Sequence, residues 1–139
     1  MKRRSQGSSD DSASRFVFDE DRADEAVRFV QSLNLREGDQ PFVLLDWQRD
    51  VLRQLFGWRE RATGRRRYRR VSIWIPRGNG KTPFASAIAM CLLFLTGETA
   101  AEIYSVAADR EQAQISFEDG AHMVASSESL AALSTTYRR

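Results

Sequence analysis

The chain has one cysteine, Cys91, and one histidine, His122, among its 139 residues. A lone thiol excludes an intrachain disulfide and a cysteine-built metal cluster, and with a single imidazole no structural zinc site is expected. A reducing compartment is expected for the same reason. Long apolar runs are also missing, since the longest, residues 84–95, is far short of the roughly 20 residues that a membrane-spanning helix needs. That run is expected as a buried helix. The basic start, residues 1–9, passes into Ser, Asp and Gly and not into an apolar stretch, so no secretory signal is expected there. An excess of one charge is absent overall, with 21 Lys and Arg set against 19 Asp and Glu for a net of +2. The balance conceals a local asymmetry: seven arginines fall within residues 59–70, while acids dominate residues 10–25.

What is present suits a globular domain. A hydrophobic content of 42% over this length supports one core. Residues 1–15 carry almost no apolar side chains and are expected to form a disordered tail. Residues 16–57 read as an N-terminal helical segment and residues 58–139 as the first half of a separate core. Over residues 19–33, Ala26, Phe29, Val30 and Leu33 recur at helical spacing behind Asp19, Glu20 and Asp21. Gly38 marks a turn, and Asp46 is expected to cap a second helix with Trp47, Val51, Leu52, Leu55 and Phe56 on one face. Gly57 ends that helix, and Thr63-Gly64 predicts a hairpin turn. Val71, Ile73 and Ile75 predict a strand, residues 81–95 a third helix, residues 102–107 another strand, and residues 109–124 a fourth helix. No internal repeat is visible. The order strand, loop, helix, strand, helix is a βαβ pattern, which predicts a parallel sheet with a right-handed crossover.

Between the first of those strands and the third helix stand Pro76, Arg77, Gly78, Asn79, Gly80, Lys81 and Thr82. A phosphate-binding loop needs small residues so that consecutive backbone N–H groups can turn toward the anion, followed by a helix whose positive end faces it. Gly78, Asn79 and Gly80 supply the turn, Lys81 an ammonium for the outer phosphates, and Thr82 a hydroxyl for Mg2+. The usual G-x-x-x-x-G-K-[ST] pattern is incomplete, because Ile75 stands where its first glycine belongs. Pro83 fits a first helical turn, where its missing N–H costs no intrahelical bond. The fold class expected is α/β: an incomplete P-loop NTPase, a parallel sheet with flanking helices, preceded by N-terminal helices and a hairpin.

Several blocks in order, namely Pro41-Phe42 through Trp47-Gln48, Leu55-Phe56-Gly57-Trp58, residues 65–70, the loop with Arg77 ahead of Gly80-Lys81-Thr82, and residues 107–117, resemble the large terminase subunit of tailed bacteriophages. The resemblance spans roughly residues 23–133. It implies a DNA-packaging motor whose ATPase domain drives double-stranded DNA into a procapsid and whose separate nuclease domain cuts the concatemer. Implied cofactors are ATP and Mg2+. Implied partners are double-stranded DNA, the portal protein, the small terminase subunit and further copies in a homo-oligomeric ring, in the cytoplasm of the bacterial host and without a membrane. Carried over, Gly80, Lys81 and Thr82 hold phosphates, Thr82 also holds the metal, Arg77 and Lys81 act catalytically on the γ-phosphate, and Gln48 meets the adenine edge, where a carboxamide both donates and accepts.

Hydrolysis in this superfamily requires a strand ending in an acidic pair. No such strand follows the loop. Glu118-Asp119 is the only adjacent acidic pair after it, and Ala113 and Phe117 give that segment helical spacing. The nuclease carboxylates are missing as well, so the chain reads as the first part of a terminase ATPase domain, expected to bind nucleotide weakly or not at all and not to turn it over. A helicase-like P-loop ATPase fragment and a non-catalytic remnant stay open as alternatives. The arginines of residues 59–70, with Tyr68 among them, suit DNA phosphates, a neighbouring subunit or plain solvent equally. Trp47, Trp58 and Trp74 are expected to pack in the core or hairpin, and His122 to be an ordinary exposed or half-buried side chain.

Overall fold

Asp19 precedes the first periodic apolar segment, and in the structure, a computed structural model describing residues 15–135, its carboxylate accepts the Arg22 backbone N–H at 3.0 Å. Helix α1 (Glu20–Gln31) runs on from this cap with Glu20 and Asp21 in its first turn, opposite the positive helix end. Its buried stripe is Ala23, Ala26, Val27 and Val30. Strand β1 (Phe16–Phe18) stands before it. After it, β2 (Asn34–Leu35) and β3 (Gln40–Pro41) pair antiparallel around a short 3-10 turn that includes Gly38. The expected tail of residues 1–15 lies, Arg15 apart, outside the described residues.

Helix α2 (Asp46–Gly57) starts one residue earlier than Asp46 capping would place it. Leu45 is the extended capping residue and Asp46 is already helical. The capping bond comes from inside the helix instead: Gln48 Oε1 accepts the Leu45 N–H at 2.9 Å, the glutamine half of a capping box. Helices α1 and α2 pack through Val30, Leu52, Leu55 and Phe56. At the rim, Arg53 of α2 pairs with Glu20 and Asp24 of α1, and its guanidinium lies 5.7 Å from the Phe18 ring centre.

Strand β4 (Trp58–Glu60) continues directly from α2 and pairs antiparallel with β1, Phe18 opposite Trp58 and Phe16 opposite Glu60. The expected hairpin around Thr63-Gly64 forms: Gly64 N–H donates to Glu60 O at 2.8 Å and Glu60 N–H to Arg65 O at 2.9 Å. Trp58 packs edge-on against Phe18 with ring centres 5.4 Å apart.

Helix α3 (Lys81–Phe94) is the apolar run anticipated from sequence. Helix α4 (Arg110–Ala125) is capped by Asp109, which accepts the Gln112 N–H at 2.8 Å, and α5 (Glu128–Ala132) follows. Helices α3 and α4 come close at Gly120, where an added Cβ would stand 3.1 Å from Met90 Cε. Ser86, buried on α3, faces two carbonyls at 3.1 Å, Thr82 O on its own helix and Ser116 O on α4. The core closes around Phe84, Ala87, Cys91 and Met123, all 0 to 1% exposed.

The parallel sheet is not found among the described residues, whose two sheets are each two-stranded and antiparallel. Residues 71–75 and 102–107 run without ladder pairing. Their β-branched composition favours a pleated, half-buried setting, but a strand exists only where a neighbour supplies the ladder, and two strands joined by a long crossover are a marginal pair. Trp74 therefore departs from the packed role expected of it and is 93% exposed, and Tyr104 and Val106 are exposed as well.

Candidate functional site

The loop leads from Ile75 into α3, and its backbone has the shape that its glycines permit. Gly78 has φ 81° and Gly80 φ 67°, the left-handed region that side-chain-bearing residues avoid. Asn79 folds back over the turn, its Nδ2 donating to Pro76 O at 3.3 Å and to Arg77 O at 3.4 Å. Gly80 is the capping residue of α3 and has no side chain to cover the helix end. With Lys81 and Thr82 as its first two residues and Pro83 lacking an N–H, the helix presents uncapped donors at its positive end.

Lys81 and Arg77 are both exposed, and among the described residues neither takes part in an ion pair. Two exposed cations beside an uncapped helix end make a site for a multiply charged anion. Thr82 is half-buried, with its carbonyl taken up by Ser86. The residues therefore fit the phosphates of a nucleotide. A metal fits only beside those phosphates, through the Thr82 hydroxyl, because among the described residues no group of three or more His, Cys, Asp or Glu is placed to hold an ion alone.

Gln48 is brought to this loop. It is 3% exposed, and a Cβ placed on Gly80 would lie 3.6 Å from its Nε2. One turn-face away, Trp47 meets Phe84 of α3 edge-on with ring centres 5.2 Å apart. The start of α2 is thus packed against the start of α3 at two points. Because Oε1 already serves Leu45, only the amide NH2 of Gln48 is directed at the loop.

Glu118 and Asp119 lie mid-helix on α4 and not at a strand end, as their spacing suggested. Both carboxylates are taken by Arg36, Asp119 Oδ1 at 2.9 Å from Nε. Burial pushes the Asp119 carboxyl above its ordinary range, with Arg36 pulling the other way. His122 sits half-buried on the same helix with Nε2 3.0 Å from Asp39 Oδ1. Neither group faces the loop. A groove of about 620 Å³ between α3 and α4, lined by Met90, Leu93, Ile103, Phe117 and Gly120, is apolar and does not include the loop.

Sequence reasoning missed Ser86, which ties the loop's helix to α4; a lone polar residue one turn after Thr82 within an apolar run was its signal. Arg36 gave no signal, since its partners are some 82 residues away. The family model described as terminase large subunit, ATPase domain, matches residues 46–136. That span takes in Gln48, the hairpin, the loop and both long helices that follow it. Comparison with curated proteins gives no match, and comparison with solved structures gives none either.

Proposed function

The chain belongs to the terminase large subunit ATPase family, and from that premise we propose that residues 76–82 hold the triphosphate of ATP within a DNA-packaging motor. The observation that carries the reading is the uncapped, positively flanked start of α3 behind the left-handed Gly80. Backbone N–H groups of the turn and of Lys81 and Thr82 surround the phosphates, and the Lys81 ammonium neutralises their outer oxygens. Arg77 lies on the loop itself and offers a second charge, placed to act with Lys81 on the γ-phosphate. Thr82 Oγ1 would hold Mg2+, and the metal, when bound, would offset phosphate charge.

Gln48 belongs to the same site as its adenine-side residue. Its NH2 can donate to an adenine edge, and its oxygen, which already accepts the Leu45 N–H, has a second lone pair with which to accept from it. Residues 16–57 form the helical platform under the loop, and residues 58–139 the first half of the ATPase core, in which residues 71–75 and 102–107 pair as parallel strands once neighbouring strands cover them. Double-stranded DNA, the portal protein, the small terminase subunit and further copies in a ring are the partners of the complete motor, in the bacterial cytoplasm. Among the described residues no helix is long and apolar enough to cross a membrane. The family match favours this reading over a helicase fragment.

Among the described residues the adjacent acids after the loop, Glu118 and Asp119, lie mid-helix and are engaged by Arg36, so nucleotide binding is the property to measure on this chain. Titration with a fluorescent ATP analogue and Mg2+ should give weak binding, with a Kd of ~0.1–1 mM. Loss of that binding in Lys81→Ala supports the site. Equal binding by wild type and Lys81→Ala would place the nucleotide elsewhere, and Lys81-dependent hydrolysis would show that an acidic strand is dispensable.

A further inference from the structure

The seven arginines of residues 59–70 do not form one solvated cloud, because the structure separates them into two sets. Three are engaged in holding the hairpin. Arg59 Nε donates to Phe56 O at 3.1 Å, and burial pushes its guanidinium below the ordinary arginine range. Arg67 lies over three rings at once, 4.7 Å from the centre of Phe16, 5.4 Å from Trp58 and 5.3 Å from Tyr68. Arg66 lies over the Phe56 ring at 6.0 Å.

The other set points outward. Arg61, Arg65, Arg69 and Arg70 are exposed, and among the described residues none of their side chains makes an ion pair or a hydrogen bond. The one acid in the run, Glu60, is occupied by Arg15 at 2.7 Å and by the Thr63 hydroxyl at 2.6 Å. Asp50 lines a shallow groove together with Arg70, which leaves Arg61, Arg65 and Arg69 as the least compensated charges. They ride on a hairpin fixed by its ladder to β1 and by its stacked arginine.

We propose that this hairpin is a contact surface for the phosphate backbone of double-stranded DNA, with Arg61, Arg65 and Arg69 as the contacting residues. The inference rests on the DNA-packaging reading and adds to it the surface and its residues. Arginine guanidinium groups have donors and no acceptor, so their partner must present closely spaced anionic oxygens, and duplex DNA carries one charge per about 1.7 Å of axis. A rigid scaffold keeps the ordering cost of such contacts low. Backbone contacts of this kind carry no sequence preference, as a motor moving along any sequence requires.

The test is equilibrium binding of the full chain to a random-sequence duplex over a range of salt. Combined Arg61→Gln, Arg65→Gln and Arg69→Gln should flatten the plot of log K against log salt by about 2.7, so that from 50 to 200 mM salt the wild-type affinity falls about 40-fold more than that of the variant. Unfolding curves of the variant should match wild type, because all three residues are exposed. A control that removes equal charge elsewhere, Arg28→Gln, Arg49→Gln and Arg110→Gln, should leave the slope near wild type. An unchanged slope in the hairpin variant, or an equal fall in the control, overturns the proposal. So does loss of self-association in the hairpin variant with DNA affinity intact, which would make the hairpin a contact between subunits. Lys81→Ala separates the two readings: it should lose nucleotide and keep DNA, and if it keeps both, the nucleotide site falls while the hairpin stands.

Discussion

Gln48 and Gly80 meet across the gap between two helices, with the Gln48 amide nitrogen 3.6 Å from where a Cβ on Gly80 would stand. The same side chain accepts the Leu45 N–H through Oε1, so one buried carboxamide fixes the start of α2 and touches the end of the loop. Two roles for Gln48 then differ in their readout. If it reads adenine, Gln48→Ala should narrow the difference in affinity between ATP and GTP while leaving inorganic tripolyphosphate unaffected. If it supports Gly80, all three ligands should weaken together. Gln48→Glu keeps an acceptor for Leu45 and removes the amide donor, so its helix content should match wild type. We expect that variant to lose ATP discrimination, measured by competition titration.

Replacement of Lys81 by Ala removes an exposed charge and no packing. Nucleotide affinity should fall about 10- to 100-fold, the worth of a hydrogen bond to a charged group, with thermal stability within about 0.5 kcal/mol of wild type. Gly80→Ala tests the backbone instead. Its new Cβ meets Gln48 only at an ordinary contact distance, so the cost arises from φ 67°, about 1 kcal/mol, and Gly80→Asn should cost less. Thermal unfolding and triphosphate titration together distinguish strain from loss of charge.

Cys91 is wholly buried on α3, and burial pushes its thiol up to about 12. In the unfolded chain the thiol ionises near ~8.5. The raised folded value means that stability present below the unfolded pKa is lost as pH climbs toward the folded one. Relative to Cys91→Ala, wild type should therefore lose about 1.4 kcal/mol per pH unit above roughly pH 8.5. Denaturant titrations at several alkaline pH values check the slope, and a constant difference would show that Cys91 is open to solvent.

Asp119 gives the acidic counterpart. Its folded pKa is raised by burial, so its contribution to stability is complete below the ordinary aspartate pKa and declines as pH rises through the folded value. Asp119→Asn keeps an acceptor for Arg36 and removes the titration. The stability of wild type relative to this variant should fall across the window that opens at the ordinary aspartate pKa and closes at the raised folded value, as read by thermal unfolding. A rise across that window would mean that Arg36 outweighs burial.

Features set by neighbours in sequence were legible. Helical segments open near Asp19 and Asp109, Thr63-Gly64 turns a hairpin, and Lys81 opens α3, whereas the cap expected at Asp46 falls on Leu45. Each depends on residues within a turn or two. Features set by distant partners were not. Pairing of β1 with β4 joins segments about forty residues apart, and Arg36 reaches Asp119 across the chain. The β-branched character of residues 71–75 is real, but ladder partners decide whether it becomes a strand. Gln48 was singled out in the sequence, but its bond to the Leu45 N–H, a local capping contact three residues away, was not anticipated.

Helix α2 carries Gln48, the neighbour of Gly80, in its first turn and ends where the basic hairpin begins, without a break between Gly57 and Trp58. At twelve residues it is a strut of about 18 Å. Its sides are clamped by α1 through the Arg53 ion pairs and by the Trp47–Phe84 contact. The Gln48 end, beside the loop, and the Gly57 end, at the hairpin, are thus kept apart by one continuous helix, and the spacing between loop and hairpin is set by its length.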